Sequence, residues 1–155
     1  MTTPILTLTD DPPDEAEQII IDGLDRFNQQ RTGVVHSHPL AVLVTSPDSG
    51  KLLGGLIGRT SLGLLFVDLV YVPDELRGQG IGARLMTQAE DEAMRRGCTQ
   101  AVLFTIVFQA PDFYRRLGYE EFGRTDSSPP AHARVFMKKA LIAKPDGATP
   151  PLKDS

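Results

Sequence analysis

Three glycines fall within five positions, at Gly78, Gly80 and Gly82, in the stretch RGQGIG that begins at Arg77. Glycine at that density weakens a helix or strand, because it loses more backbone freedom on folding than any other residue. Yet Ala83 to Arg96 reads as a strong helix. Ile81, Leu85, Ala89 and Ala93 recur at every fourth position, Arg95 and Arg96 stand in the last turn, and Gly97 caps the end. A helix N-terminus carries unpaired N–H groups and about half a positive charge. Glycines let those amides meet an anion with no Cβ in the way, and Arg77 and Arg84 add positive charge. The chemistry implied is phosphate or pyrophosphate binding. A glycine turn used only for close packing is the alternative.

Two well-known phosphate loops fit poorly. Gly78-x-Gly80-x-x-Ala83 has the form of the dinucleotide fingerprint. That pattern needs the loop directly after a strand and an acid at the end of the next one. Here Pro73 to Leu76 intervene, and Ala101 to Val107 contains no Asp or Glu. Gly50-Lys51 is followed by Leu52, so the Lys-Ser/Thr phosphate loop fails as well.

Other side chains could move protons. Asp68 is the only carboxylate in the apolar run Leu64 to Val72. Burial there would raise its pKa toward the range of a useful base, whereas a structural carboxylate would pair with a backbone amide or an arginine. His36, His38 and His132 are the groups that titrate near neutrality, but without spaced acids they make no metal site, and loop or surface positions are expected. The segment from Asp126 to His132 could line an acceptor. Cys98 is the single cysteine, so no intramolecular disulfide forms and packing is its expected role.

The elements that must hold these groups follow from periodicity and turn chemistry. Ile5 to Thr9 alternates as a short strand. Asp11 to about Gln30 reads as a helix, with Asp11 as N-cap and Ala16, Ile20, Leu24 and Phe27 as its buried stripe. Leu40–Thr45 and Leu52–Thr60 form a hairpin across the Pro-Asp-Ser-Gly turn, and Leu64 to Val72 is a third strand of that meander, apolar enough for burial on both faces. After the glycine loop and its helix, Ala101 to Val107 is a strand parallel to Leu64–Val72. Ala110 to Leu117 is a short helix closed by Gly118. Tyr119–Arg124 and Ala133–Lys139 are the last strands. The order is β-α-β-β-β-α-β-α-β-β, an α/β domain (α+β by some schemes).

The totals agree with a single domain over residues 1–142, followed by a Pro-, Lys- and Asp-rich tail, 143–155, expected to be disordered. With 155 residues, 41% hydrophobic and 23% charged, the chain is ordinary for a globular protein. It has no basic leader and no apolar run of membrane length, and its net charge is −4. A cytoplasmic protein with neither nucleic acid nor membrane as partner is expected.

The stretch VDLVYVPDELRGQGIGARLM, residues 67–86, resembles the acyl-CoA-binding motif of the GNAT superfamily of N-acetyltransferases. That motif is Gln or Arg, two residues, Gly, one residue, then Gly or Ala; Arg77, Gly80 and Gly82 stand in it. A second match is APDFYRRLGYEEFGR, residues 110–124, where Ala110, Phe113, Tyr114, Gly118 and Tyr119 follow the family's pattern. The element order from about Ile5 to Ala140 is similar too. The resemblance implies a mixed, mostly antiparallel sheet whose parallel fourth and fifth strands, Leu64–Val72 and Ala101–Val107, splay apart. It implies acetyl-CoA as co-substrate, with no metal. The pantetheine arm would pair with the backbone of Leu69, Val70, Tyr71 and Val72. The pyrophosphate would meet the amides of Arg77, Gly78, Gln79, Gly80, Ile81, Gly82 and Ala83. Tyr114 takes the place of the general acid, and a backbone N–H near Val70 would hold the oxyanion. The acid often found on the fourth strand aligns nearer Phe66, which shares a face with Asp68, so Asp68 is the candidate base. Where many members carry Asn, this chain has Val107, and Gln109 is not read as its replacement.

The implied activity is transfer of an acetyl group from acetyl-CoA to an amine by direct attack on the thioester. The alternative on the same fold is a non-catalytic or regulatory acyl-CoA-binding module. A nucleotide-dependent oxidoreductase lacks its ribose acid. The acceptor would be a small-molecule amine or a peptide amine, and a homodimer is compatible with the family.

Overall fold

The computed structural model describes residues 2–33 and 37–142, so His36 and the tail 143–155 lie outside the described residues. The chain divides into two compact units, Met1–His36 and Ser37–Ser155.

The first unit contains one helix, α1 (Ala16–Thr32), ended by Gly33 in the left-handed conformation. The strand expected over Ile5–Thr9 does not form. Alternation supplies a face, but a strand also needs a neighbour to accept its hydrogen bonds. The helix starts four residues later than Asp11 as N-cap would have it, with Glu15 in the N-cap place. Pro12 and Pro13 each push the preceding residue out of the helical region, so the first turn waits until the prolines are passed. Asp11 donates its N–H to the Thr9 hydroxyl, and Ala16 N–H reaches Pro13 O. The apolar stripe of Ala16, Ile20, Leu24 and Phe27 lies within this helix.

The second unit is a six-stranded sheet: β1 (Ser37–Thr45), β2 (Leu52–Ser61), β3 (Leu64–Tyr71), β4 (Gln100–Ile106), β5 (Glu120–Thr125) and β6 (Arg134–Ala140). The spatial order is β1-β2-β3-β4-β6-β5, antiparallel throughout except for β3 against β4. The crossover between these two is α2 (Ile81–Arg95), and α3 (Pro111–Arg116) follows β4. Leu62 (φ 48°) and Gly63 (φ 84°) make the two-residue turn between β2 and β3, with positive φ at both positions as a primed hairpin turn requires.

The feature that matters most is a bulge. Ile57 pairs with Leu69 and Gly58 with Val67, so Asp68 is the extra residue on β3. A bulge bends its strand and increases the local twist. A Cβ on Gly58 would overlap the Phe66 carbonyl oxygen, so only glycine lets β2 lie this close beside the bulge. β3 pairs with β4 only from Leu64 to Val67, against Gln100 to Leu103. Beyond the bulge β3 runs on to Tyr71 while β4 stays with β6 as far as Ile106 opposite Arg134. The two parallel strands therefore part. The phase of burial also shifts: Leu65 and Val67 are buried, while Leu69 is 66% exposed. β3 is thus not buried on both faces.

α2 lies against β1, β2 and β3 and buries Leu85, Met86, Ala89, Glu90 and Ala93. Arg96, just after it, fastens the helix to the sheet. Its guanidinium donates to Pro39 O at 3.1 Å, to the Thr60 hydroxyl at 3.1 Å and to Glu92 Oε2 at 2.9 Å. Thr60 is buried, so losing the donor would leave its hydroxyl oxygen unpaired inside the fold. Arg96→Met is expected to destabilise by about 1–3 kcal/mol, the usual cost of leaving such groups unpaired. Thermal unfolding with urea titration would show it; an unchanged midpoint would mean that solvent replaces the arginine. Cys98 is buried behind this corner, with its thiol pushed up by burial, in keeping with a packing role.

Candidate active site

Where β3 and β4 part, a cleft of about 780 Å³ opens. Val70, Tyr71 and Val72 form one wall, Thr105 and the β4–α3 connection the other, and the N-terminus of α2 closes one end. Past Val67 the edge of β3 has no β4 partner, so backbone N–H and C=O groups on that side are free to bond an extended ligand.

The α2 terminus is shaped by left-handed glycines. Gly78 (φ 80°) and Gly80 (φ 75°) adopt backbone that side chains rarely tolerate, and nothing lies within 4 Å of a Cβ built on either. Gly80 is the N-cap, no side chain caps the helix, and its first turn contains no acidic residue. The amides there face the cleft without a carboxylate competing for them. Gly82 is small for another reason. A Cβ on it would come within 3.1 Å of the Phe113 ring, so this glycine lets α3 approach α2.

Arg77 has a structural task. Its Nε donates to Val72 O at 3.0 Å, and its guanidinium pairs with Asp74 at 2.8 Å, tying the end of the β3 wall to the loop. Arg116 also lines the cleft, and it makes no hydrogen bond or ion pair among the described residues.

Tyr114 is 9% exposed and lines the cleft from α3. Pro111 starts that helix, and Tyr114 N–H closes its first turn on Ala110 O. Its ring meets Phe113 edge-on at 5.0 Å and Tyr119 at 5.9 Å. Its hydroxyl has no partner among the described residues, and no fully buried side-chain oxygen there lacks one, so the hydroxyl is open to the cleft. Burial pushes the phenol above its ordinary value.

Of the residues singled out in the sequence, Val70, Tyr71, Val72, Arg77, Gly78, Gly80, Ile81, Gly82, Ala83 and Tyr114 all line this cleft. Leu69 and Gln79 do not; Gln79 turns back to Glu75 O. Asp68 is not a buried carboxylate. It is 44% exposed and accepts from Arg59 at 2.9 and 3.0 Å, while the same guanidinium stacks on Phe66 at 4.4 Å. The bulge turned the side chain outward, which an alternation of residue types cannot reveal. His132 is exposed and meets the ring of Phe108, which lines the cleft, edge-on at 6.1 Å. No group of three metal-ligating side chains gathers among the described residues, and no described helix is long and apolar enough to cross a membrane.

Sequence reasoning missed part of the lining. At Val107 the backbone N–H goes to Ala133 O. Gln109 turns its Oε1 back to accept from Ile106 N–H and the Thr105 hydroxyl, both at 3.3 Å, and so stands in the cleft. Thr105, a hydroxyl in an apolar strand, was the available signal.

The Acetyltransferase (GNAT) family model matches residues 6–119. Acetyltransferase Atu2258 of Agrobacterium fabrum is 38% identical over 85% of this chain and 96% of that protein. The blasticidin-S acetyltransferase of Streptomyces morookaense is 37% identical over 72% of this chain and 85% of that protein. A crystal structure from Agrobacterium tumefaciens superposes with a TM-score of 0.77 at 33% identity, covering 88% of this chain and 99% of that one. Relatives named for catalysis give the non-catalytic alternative no support. Spanning a cleft between parting strands, a glycine-bordered helix terminus and relatives of nearly equal length, the likeness has one conclusion: the chain belongs to the GNAT family of acetyltransferases.

Proposed function

We propose that the donor is acetyl-CoA, held in the cleft between β3 and β4, and that the acceptor is the amine of a small molecule. The observation that carries the donor assignment is the parting of the strands at the Asp68 bulge, with the bare α2 terminus at its end. An extended chain of amides fits the free edge of β3, and phosphates fit the amides from Arg77 to Ala83. The relative named for blasticidin S supports a small-molecule acceptor.

The amine nitrogen attacks the thioester carbonyl, the carbon–sulfur bond breaks, and the amide nitrogen loses a proton while the thiolate gains one. In this reading a backbone N–H of β3 near Val70 holds the oxyanion. Tyr114, neutral and facing the cleft, supplies the proton for sulfur.

Asp68 as base would have to act through water and in spite of its pairing with Arg59. Asp68→Asn tests this: loss of the acidic limb of the kcat–pH profile supports the role, and an unchanged profile assigns Asp68 to the bulge alone. The acceptor is found by an amine panel with acetyl-CoA, read as free thiol and as product mass. Acetylation confined to peptide amines would replace the small-molecule reading.

A further inference from the structure

α2 carries a carboxylate on its apolar stripe. Glu90 is 7% exposed and lies on the same face of the helix as the buried Met86 and Ala93, one turn to either side. Two groups reach it. The Tyr119 hydroxyl donates to Oε2 at 2.8 Å, and Lys139 Nζ from β6 donates to Oε1 at 2.8 Å. The Lys139 ammonium also lies 5.7 Å from the Tyr119 ring centre.

A buried charge cluster of this kind is a poor source of stability, because apolar side chains of equal volume do as well or better. Its better attested use is to fix one arrangement. What it fixes here is Tyr119, held at its hydroxyl by Glu90 and at its backbone N–H by Tyr114 O at 3.0 Å. The Tyr119 ring is in turn the wall against which Tyr114 stands edge-on at 5.9 Å, and Phe113 meets the Tyr114 ring at 5.0 Å. The chain of contacts runs from Lys139 through Glu90 and Tyr119 to Tyr114.

We propose that Tyr119, anchored by Glu90 and Lys139, is a positioning residue that sets the Tyr114 ring so that its hydroxyl meets the sulfur of the leaving thiol. This rests on the reading of Tyr114 as the acid. None of the three touches the cleft, so they act only through Tyr114.

The test is a double-mutant cycle on kcat with acetyl-CoA and the acceptor found by the panel. Tyr119→Phe keeps the ring and removes the anchoring hydroxyl. It is expected to lower kcat ~10-fold, short of the 10²-fold that misplacing a catalytic group by 1 Å can cost. KM for acetyl-CoA should stay within about twofold, as for a group that acts only in the transition state. In a Tyr114→Phe background the same substitution should leave kcat unchanged, because no hydroxyl remains to be aimed. Glu90→Gln, which keeps an acceptor for the Tyr119 hydroxyl, should retain most of kcat. Should Tyr119→Phe cost the same factor in both backgrounds, or cost nothing in wild type, the positioning role is overturned while the acid role stands. Should Tyr114→Phe itself cost nothing, the acid reading falls and takes this proposal with it. Melting curves for each variant separate these outcomes from loss of fold.

Discussion

Tyr114→Phe is expected to lower kcat by ~10²–10⁴-fold, the usual worth of a positioned proton donor. The lower end is the better expectation, because a thiolate leaves more readily than an alkoxide and needs less help. The ring packing against Phe113 and Tyr119 is kept, and the hydroxyl has no partner among the described residues, so stability and affinity for acetyl-CoA should change little. The pH dependence has a definite sign. An acid works while it is protonated, and burial lifts the Tyr114 phenol above its ordinary 10.0. Tyr114 therefore contributes no loss of rate as pH rises through 7 to 9, and its limb appears only above the ordinary tyrosine range. That limb should be missing from Tyr114→Phe. Equal kcat for the two enzymes would make Tyr114 a packing residue.

The second large effect is expected at the glycine loop. Gly80→Asp puts a carboxylate at the N-cap of α2, where the helix terminus now offers its amides to the cleft. Asp is a good N-cap, so it would satisfy those amides itself and repel phosphate. A charge at a helix end is worth up to ~2 kcal/mol, about 30-fold in affinity, before the amides' own bonds are counted. The left-handed φ of 75° adds roughly 1 kcal/mol of strain for a side chain, partly offset by the new cap. Calorimetry should therefore show CoA affinity down by about 30-fold or more with only a small change in melting temperature. Gly82→Asp is a poorer probe, because it drives into Phe113 and disturbs the α2–α3 contact as well. Unchanged affinity in Gly80→Asp would remove the helix terminus from the binding site.

These two positions show what was legible beforehand. A left-handed turn at the mouth of a helix leaves its mark as glycine, because other residues avoid that backbone. Gly78 and Gly80 could therefore be read from residue type alone. The place of Tyr114 in a motif, between Ala110 and Gly118, singles it out, and the structure has it lining the cleft. The Asp68 bulge was not, because it is a property of the register between β2 and β3, and register depends on the partner strand. The clue lay across the hairpin at Gly58, whose absent Cβ lets β2 lie against the bulge. For the same reason an apolar run implies a buried Asp68, where the structure turns it out to Arg59. Ile5–Thr9 failed for a related reason, since alternation describes one strand and says nothing of its neighbour. Glu90 leaves no local signal, because its partners, Tyr119 and Lys139, lie 29 and 49 residues away.

The central claim is that an acetyl group passes directly from CoA in the β3–β4 cleft to an amine. Its most direct test is a single experiment on the wild-type enzyme: acetyl-CoA with and without each amine of the panel, following free thiol and product mass together. The expected result is thiol release that depends on one class of amine, with one acetylated product formed for each thiol. Contradiction would be thiol release that no amine accelerates although CoA binds, or an acetylated enzyme accumulating before any product appears.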